Sequence, residues 1–170
     1  WFFRDPDRRL EHAGMVSPAD GRVTRIDDSG DRTHVEIFMG LSDVHVNRAP
    51  LGGTVTRTDH RSGGYWPAFT KAADRNERVR ITLVTDWGPM DITLIAGTIA
   101  RRISTYLSPP TTVDRGQRIG HIAFGSRVDV DLPESVGMAD LAVSRGDRVL
   151  AGETVLVAAN HTPVQGASDS

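Results

Sequence analysis

Glycine and proline divide this chain into short segments, and that division limits the possible folds more than any other feature. The 170 residues include 17 glycines and 9 prolines, which recur at short intervals along the sequence. Short strand-like runs lie between them, a pattern typical of β-barrels and β-sandwiches. The sequence therefore predicts an all-β fold, with helical turns where residues 74–78 and 98–105 are ambiguous. The predicted strands span residues 22–27, 34–39, 53–58, 79–85, 90–96, 120–132 and 154–158.

Size and composition indicate a single domain large enough to bury a core. The net charge of −2 and a pI near 6.3 do not suggest a nucleic-acid partner, and no basic run is interleaved with aromatic residues. The chain has no cysteine, which excludes disulfides, thiolate metal ligands and cysteine nucleophiles. It also has no apolar run of about 18 residues, so we expect no membrane-spanning segment.

A serine occurs on the apolar face of the predicted strand 120–132. With a period of two, this face carries Ile122, Phe124, Ser126, Val128, Val130 and Leu132. Ser126 directly follows Gly125, whose carbonyl no side chain shields, so the hydroxyl could attack its own backbone if a base activated it. On spacing alone, a strand serine hydrogen-bonded to a neighbouring carbonyl is the favoured interpretation.

Eight motifs in a fixed order reverse that preference. They are WFFRDP (1–6), SPADG (17–21), DVHVNRAP (43–50), NER (76–78), IAGTIARR (95–102), GQRIG (116–120), FGSRVD (124–129) and GDRVLAGET (146–154). Each motif is weak alone, but the ordered set covers nearly the whole chain, from Trp1 to Val157. This set resembles the phosphatidylserine decarboxylase family, in the short form shared by archaea and many bacteria.

The resemblance implies a pyruvoyl-dependent decarboxylase that makes its own prosthetic group. Attack of Ser126 on the Gly125 carbonyl would convert the peptide bond to an ester by an N→O shift. β-Elimination would then release residues 1–125, the β chain, and leave a dehydroalanine at position 126. Hydrolysis with loss of ammonia would leave a pyruvoyl group at the start of residues 126–170, the α chain. A pyruvoyl carbonyl does the work of pyridoxal phosphate, so neither that cofactor nor a metal is expected.

The resemblance also implies a fold. The family has a barrel-sandwich hybrid core, and residues 143–156 look like the closing hairpin of lipoyl and biotinyl carrier domains. We expect one domain over residues 1–170, whose two cleavage products stay together as a heterodimer and could assemble further. Residues 160–170 are small and polar, which predicts a disordered tail.

Two further residues complete the catalytic set that the resemblance implies. His45, in the Asp-Val-His motif, is the expected base for Ser126, because an imidazole titrates in the useful range. Asp20 is expected to orient that histidine, as the aspartate does in serine-protease triads. The Ser-Pro-Ala-Asp-Gly sequence around Asp20 is also a good turn sequence, and both roles can hold together.

The chain departs from long-form relatives at one position of this set. Those relatives carry two histidines three residues apart, of which the first aligns with His45 and the second with Arg48. Arginine cannot act as a base at ordinary pH. Either His45 serves both cleavage and decarboxylation, or another histidine contributes. His121 is less favoured for that part, because an unbroken strand would place it on the face opposite Ser126.

A serine-headed phospholipid, with a diacyl or an archaeal diether backbone, is the substrate that the resemblance implies. Its phosphate needs an arginine or backbone amides, and Arg48, Arg101, Arg102 and Arg127 are equally open as partners or as solvated surface residues. A lipid substrate implies association with the cytoplasmic face of the membrane. The aromatic residues 1–3 fit either a membrane boundary or packing on the domain.

Two interpretations from other functional classes stay open. A non-catalytic carrier or binding module would explain the lipoyl-like stretch, but Lys71, the single lysine of the chain, lies far from it in sequence. A pyruvoyl decarboxylase of a soluble amino acid would share the chemistry and differ in substrate. A serine hydrolase or a metal enzyme is less favoured, because the sequence has neither a Gly-x-Ser-x-Gly motif nor clustered ligands.

Overall fold

The computed structural model of the protein describes residues 14–28, 30–40, 42–43, 46–98, 102–122 and 125–161. Within them the chain forms short strands and two 3₁₀ helices, over Lys71–Arg75 and Met138–Asp140, so the all-β prediction is confirmed. None of these helices is long and apolar enough to cross a membrane. The strands are β1 (Gly14–Val16), β2 (Gly21–Asp27), β3 (His34–Met39), β4 (Val46–Arg48), β5 (Gly53–Arg61), β6 (Arg78–Thr85), β7 (Gly88–Ile95), β8 (Ile103–Thr105), β9 (Thr111–Val113), β10 (Arg118–Ile122), β11 (Ser126–Asp131), β12 (Arg148–Val149) and β13 (Val155–Ala158).

The strands form three antiparallel sheets. The largest has eight strands in the order β12-β2-β3-β11-β7-β6-β5-β9. A three-stranded sheet has the order β4-β10-β8, and β1 pairs with β13. Because β11 is hydrogen-bonded to β3 on one side and to β7 on the other, it is an interior strand of the large sheet.

Alternation along the central strands separates an apolar face from a charged one. In β3, Val35, Ile37 and Met39 are fully buried, while the residues between them point to the other face. In β11, Val128 and Val130 are buried on the apolar face and lie directly across from Ile37 and Val35. The apolar face forms the hydrophobic core, which also receives side chains from the small sheets.

The predicted strand 120–132 is wrong as a single element. The chain forms β10 up to Ile122 and β11 from Ser126, and these strands belong to different sheets. Gly125 has a φ of +75°, a conformation that an extended strand does not contain and that glycine adopts readily. The Gly125-Ser126 bond therefore lies at a bend where the chain enters the large sheet.

Two other predictions are refined by the structure. The strands within residues 143–156 do not close a hairpin, since β12 pairs with β2 in the large sheet and β13 with β1. Residues 98–105 end in the strand β8, with no helical turn in the part described, and the helical turn near residues 74–78 is the 3₁₀ helix Lys71–Arg75. The predicted disorder of the tail falls, beyond His161, outside the described residues.

Candidate active site

Ser126 is the first residue of β11 and is completely buried. It lies across from Met39 of β3, and its Oγ is 3.7 Å from the Met39 sulfur. A thioether is a weak acceptor. Within the described part of the chain this is the partner of the hydroxyl, so Ser126 is not bonded to a neighbouring carbonyl there. The hydroxyl is enclosed but held weakly, which leaves it available to a base.

The preceding peptide unit is held by backbone contacts. The Gly125 N–H donates a hydrogen bond of 2.9 Å to the Met39 carbonyl. The Gly125 carbonyl oxygen lies against the bare Cα of Gly97, where a Cβ would come within 1.8 Å of that oxygen. No side chain can occupy position 97 without moving this carbonyl. Gly97 is therefore a site residue that sequence reasoning quoted in a motif but did not assign.

Asn47 is a second residue that the sequence did not single out. It lies in β4, is completely buried, and its Nδ2 is 3.9 Å from the Met39 sulfur that Ser126 also contacts. Its Oδ1 is buried and accepts no hydrogen bond from the part of the chain that the structure describes. A buried polar atom without a partner costs about 1–3 kcal/mol, and native structures contain few of them. The sequence feature that could have identified Asn47 as a site residue is its position in the DVHVNRAP motif.

Asp20 is buried beside β4. The Ala151 N–H donates a hydrogen bond of 2.6 Å to Asp20 Oδ1, which fixes the carboxylate. The turn that carries Asp20 reaches β4 through the Arg48 N–H, which donates to the Pro18 carbonyl at 2.9 Å. His45 directly precedes β4 but lies outside the described residues, so its predicted role as the base stays a prediction.

The structure changes the reason for setting His121 aside. His121 is exposed in β10 and hydrogen-bonded through Nδ1 to the Tyr106 hydroxyl. Because β10 and β11 are separate strands in different sheets, the expectation that His121 lies on the face opposite Ser126 of one strand is wrong. The exposure of His121, compared with the complete burial of Ser126, is what disfavours His121 as a second base.

Of the arginines considered for phosphate binding, Arg127 is already engaged. Its guanidinium binds both oxygens of Asp129, with Nε–Oδ1 at 2.7 Å and Nη2–Oδ2 at 3.1 Å, and Asp74 Oδ1 at 2.9 Å. Its side chain is only 6% exposed. Arg48 donates to the Gly116 carbonyl at 2.6 Å, Arg102 is exposed, and Arg101 lies outside the described residues. The contacts of Arg127 argue against its use as a phosphate ligand.

The charged face of β11 forms an ion-pair cluster with His34 at its centre. His34 Nδ1 is 2.8 Å from Asp131 Oδ1, and Nε2 is 3.3 Å from Glu36 Oε1. The hydrogen bonds to Asp131 and Glu36 raise the pKa of His34 to about 10 despite its burial. Burial raises the pKa of Asp129 to about 6, against the effect of Arg127. The cluster is therefore built around a histidine cation.

Three members of this cluster have ligand atoms close enough together to hold a metal ion. These atoms of His34, Glu36 and Asp129 lie within 4.8 Å of one another. A protonated imidazole, however, has no lone pair for a metal, and Asp129 is already bound twice by Arg127. The donor set fits an ion-pair network better than a metal centre.

Comparison with known proteins finds the same family along the chain. The family model described as phosphatidylserine decarboxylase matches residues 1–157. A Streptomyces griseus protein named phosphatidylserine decarboxylase proenzyme is 50% identical over 155 residues, covering 91% of this chain and 71% of its own. A Methanosarcina acetivorans protein, provisionally named archaetidylserine decarboxylase proenzyme, is 50% identical over 157 residues, covering 91% and 72%. A Halobacterium salinarum protein with the same provisional name is 48% identical over 157 residues, covering 92% and 78%.

Proposed function

The chain belongs to the phosphatidylserine decarboxylase family, and on that premise we propose that it is a self-processing enzyme that removes carbon dioxide from a serine-headed phospholipid. The relatives are named for phosphatidylserine and for archaetidylserine, and both lipids share the phosphoserine headgroup. The headgroup is therefore the substrate class that we propose. The word proenzyme in their names agrees with cleavage of this chain at Gly125-Ser126.

The observation that carries the proposal is the arrangement of the Gly125-Ser126 peptide unit. A buried, weakly bonded hydroxyl directly follows a glycine carbonyl, and the Gly125 N–H is anchored to Met39. The carbonyl oxygen rests against the bare Cα of Gly97. Fixing the nucleophile and the electrophile of one peptide unit lowers the entropic cost of bringing them together. A structural serine would need none of these features.

In the proposed cleavage, His45 takes the hydroxyl proton while Ser126 Oγ bonds to the Gly125 carbonyl carbon. The bond between that carbon and the Ser126 nitrogen then breaks, and the nitrogen takes up a proton. Loss of the Ser126 α-proton and cleavage of its Cβ–O bond release residues 1–125 with a new carboxylate. Water replaces the nitrogen on the remaining residue, ammonia leaves, and residues 126–170 begin with a pyruvoyl group. Asp20 is proposed to orient His45.

The surroundings of Ser126 fit a pyruvoyl group. The site is apolar and closed, so it would shelter an α-keto carbonyl from bulk water, and the Asn47 oxygen, without a partner among the described residues, belongs to an amide that contacts the same Met39 sulfur as Ser126. When present, the pyruvoyl carbonyl condenses with the substrate amine and withdraws electrons as carbon dioxide leaves. Because Ser126 is fully buried in the uncut chain, cleavage must also open the route by which a lipid headgroup arrives.

Strand pairing supports the proposal that the two products stay together. After cleavage at position 125, β11, β12 and β13 belong to the α chain. Each pairs with strands of the β chain: β11 with β3 and β7, β12 with β2, and β13 with β1. Separating the products would break all of these ladders and expose the core. We therefore propose a heterodimer that acts at a membrane surface.

The deciding experiment is intact mass under denaturing conditions, on freshly expressed chain and on Ser126→Ala. The wild type is expected to give fragments 1–125 and 126–170, the smaller lacking a free amine, while Ser126→Ala stays uncut. Ser144→Ala, at an exposed serine, is the matched control and is expected to cleave like the wild type. Under native conditions the two fragments should elute together.

Activity is tested on the cleaved protein by release of carbon dioxide from phosphatidylserine vesicles and from free serine. Release from the lipid alone is expected. Release only from the free amino acid would replace the lipid substrate with a soluble one. A wild type that keeps its full-length mass after long incubation contradicts the proposal.

A further inference from the structure

Residues 64–76, here called the aromatic loop, expose three aromatic side chains within five consecutive positions. Tyr65 is 37% exposed, Trp66 55% and Phe69 73%. Phe69 and Trp66 are the two most exposed large hydrophobic residues among those described. Burying large aromatic side chains is favourable, and proteins that leave several exposed together generally use them in binding.

Buried hydrogen bonds fix the backbone that carries these rings. The Asn76 side chain is buried, accepts the Trp66 N–H at 2.8 Å and donates to the Trp66 carbonyl at 2.7 Å. It also donates to the Ala96 carbonyl at 2.7 Å, directly before Gly97. The ends of the loop are joined by the Gly64 N–H, which donates to the Arg75 carbonyl at 3.0 Å. This accounts for the asparagine of the NER motif and makes the aromatic loop a fixed surface.

The aromatic loop lies beside the proposed cleavage site. The buried Ala68 methyl is 3.5 Å from the position of a Cβ on Gly97, the residue that touches the Gly125 carbonyl. The Phe69 ring meets the Phe38 ring edge-on at 6.0 Å, and Phe38 directly precedes Met39. The loop therefore stands at the end of the large sheet where β11 begins.

The composition of the loop suits the surface of an anionic phospholipid bilayer. Tryptophan and tyrosine favour the boundary between headgroups and acyl chains, where one part of the ring is apolar and the other meets water. Lys71 and Arg75 are exposed in the same loop and carry positive charge. The acidic Asp74 forms an ion pair with Arg127 at 2.9 Å. Apolar insertion and attraction to anionic lipids act together in peripheral membrane binding.

We propose that the aromatic loop docks the protein on an anionic phospholipid bilayer, with Trp66 and Phe69 inserted at the interface, and thereby brings the lipid headgroups to the site that begins at Ser126. The choice of a bilayer as the partner rests on the proposed function, because a decarboxylase of membrane lipids must bind its substrate at a bilayer surface. The aromatic loop is the exposed apolar surface next to the proposed active site.

The test is co-sedimentation of the full chain with vesicles of phosphatidylglycerol and phosphatidylcholine, which contain no substrate. Trp66→Ser/Phe69→Ser is expected to lower the vesicle partition coefficient by about tenfold or more, because the variant lacks the two aromatic side chains that would be buried in the bilayer. The matched control is Val84→Ser/Met138→Ser, which removes two exposed hydrophobic side chains (42% and 46%) outside the loop. This control is expected to bind like the wild type.

Three readouts separate the docking surface from the proposed function. Self-cleavage by intact mass and decarboxylation of a short-chain, monomeric phosphatidylserine should both be unchanged in Trp66→Ser/Phe69→Ser, while decarboxylation of vesicle lipid falls with binding. If the wild type cleaves and acts on the monomeric lipid but the variant binds vesicles normally, the docking proposal is wrong and the function stands. If the wild type neither cleaves nor acts, the proposed function is wrong.

A second measurement covers the case in which the double variant does not fold. Vesicles containing brominated lipid should quench the fluorescence of the wild type more than that of Trp66→Phe, since Trp66 is expected at the interface. Equal quenching contradicts insertion of this residue.

Light scattering of the free protein tests whether something other than a bilayer covers the aromatic loop. A wild-type dimer that dissociates in Trp66→Ser/Phe69→Ser would assign the loop to a second copy of the chain. If Trp66 is protected from quenching in the full chain but not in a chain that lacks residues 1–13, the loop would be assigned to contact with that segment.

Discussion

The two faces of β11 differ in how completely their buried polar groups are hydrogen-bonded. On the charged face, Arg127 and Asp129 are buried and almost every charge has a partner at hydrogen-bond distance. On the apolar face, Ser126 has only a sulfur contact, and the nearby Asn47 oxygen has no partner among the described residues. One face of this six-residue strand therefore carries a hydrogen-bonded ion-pair network, and the other carries a hydroxyl with only a weak sulfur contact.

The difference indicates which face is structural and which is reserved for chemistry. A saturated ion-pair network holds its members in one arrangement, but it leaves no lone pair or proton free to react. A weakly held hydroxyl, together with a buried amide oxygen that has no partner among the described residues, costs stability, and such local violations are expected at functional sites. Variants of the charged face should thus change stability, while variants around Ser126 should change cleavage.

Removing the buried arginine of the charged face should have the largest effect. Arg127→Met leaves Asp129 and Glu36 without their buried partner, and we expect a loss of about 3 kcal/mol in the free energy of unfolding. Urea denaturation of the Ser126→Ala background, which remains one chain, measures it. The control is Arg57→Met, since Arg57 is 71% exposed in its pair with Asp59 and should cost about 0.5 kcal/mol or less. Equal effects of the two variants would remove the distinction between the faces.

Gly97→Ala tests the other face through the proposed scissile carbonyl. The added Cβ would lie 1.8 Å from the Gly125 oxygen, so the carbonyl must move from its present position relative to Ser126 Oγ. We expect self-cleavage to slow about 100-fold, a loss typical of misplacing reacting atoms by about 1 Å. Time courses of intact mass give the rate. Gly52→Ala is the control, because its nearest neighbour would be 3.6 Å away, and unchanged cleavage in both variants would contradict the assignment of this carbonyl.

The pH dependence of stability tests whether the charged face is built on a histidine cation. The hydrogen bonds to Asp131 and Glu36 raise the pKa of His34 from 6.5 to about 10, so the protonated form stabilises the folded state. This stabilisation is complete below pH 6.5 and is lost as the pH rises through about 10.

We expect His34→Gln to be less stable than the unmutated protein by about 2 kcal/mol near pH 6, a difference that shrinks toward pH 10. Urea denaturation of both proteins in the Ser126→Ala background, from pH 6 to pH 10, measures it. Groups that titrate in both proteins and do not interact with His34 cancel in the comparison. A difference that stays constant or grows with pH would show that His34 is neutral in the fold.

Asn47→Leu should have the smallest effect and the sharpest separation of stability from activity. Leucine has a similar shape and removes the unpartnered oxygen, so the melting temperature should stay equal or rise. If the amide serves the reaction at Ser126, cleavage should slow about tenfold. Cleavage at the wild-type rate together with higher stability would instead identify Asn47 as an unpaired core residue without a part in the reaction.

Strand patterns made much of the fold predictable. The predicted strand 34–39 coincides with β3, because its alternating side chains meet the core on one face and the ion-pair cluster on the other. The predicted strands 22–27 and 79–85 agree with β2 and β6 to within one residue at their starts. Periodicity did not reveal the break before Ser126, since the bend depends on the conformation of Gly125. The φ angle of a glycine within an apolar run cannot be inferred from the sequence pattern.

The candidate site was predictable in part. Ser126 and Asp20 are buried as a site requires, and the position of His45 stays a prediction. Gly97 and Asn47 escaped notice because their importance lies in what they touch, the Gly125 oxygen and the Met39 sulfur, both distant in sequence. Only the chain path brings these atoms together.

The sequence by itself determined the all-β class, the family and the Gly-Ser pair, because alternation, glycine and proline spacing, and ordered motifs are local properties of the chain. The tertiary structure alone decided that β10 and β11 enter different sheets, that Arg127 is enclosed by carboxylates, and that Gly97 supports the Gly125 carbonyl. These are contacts between residues far apart along the chain. Their distances depend on sheet order and packing, which no short-range pattern records.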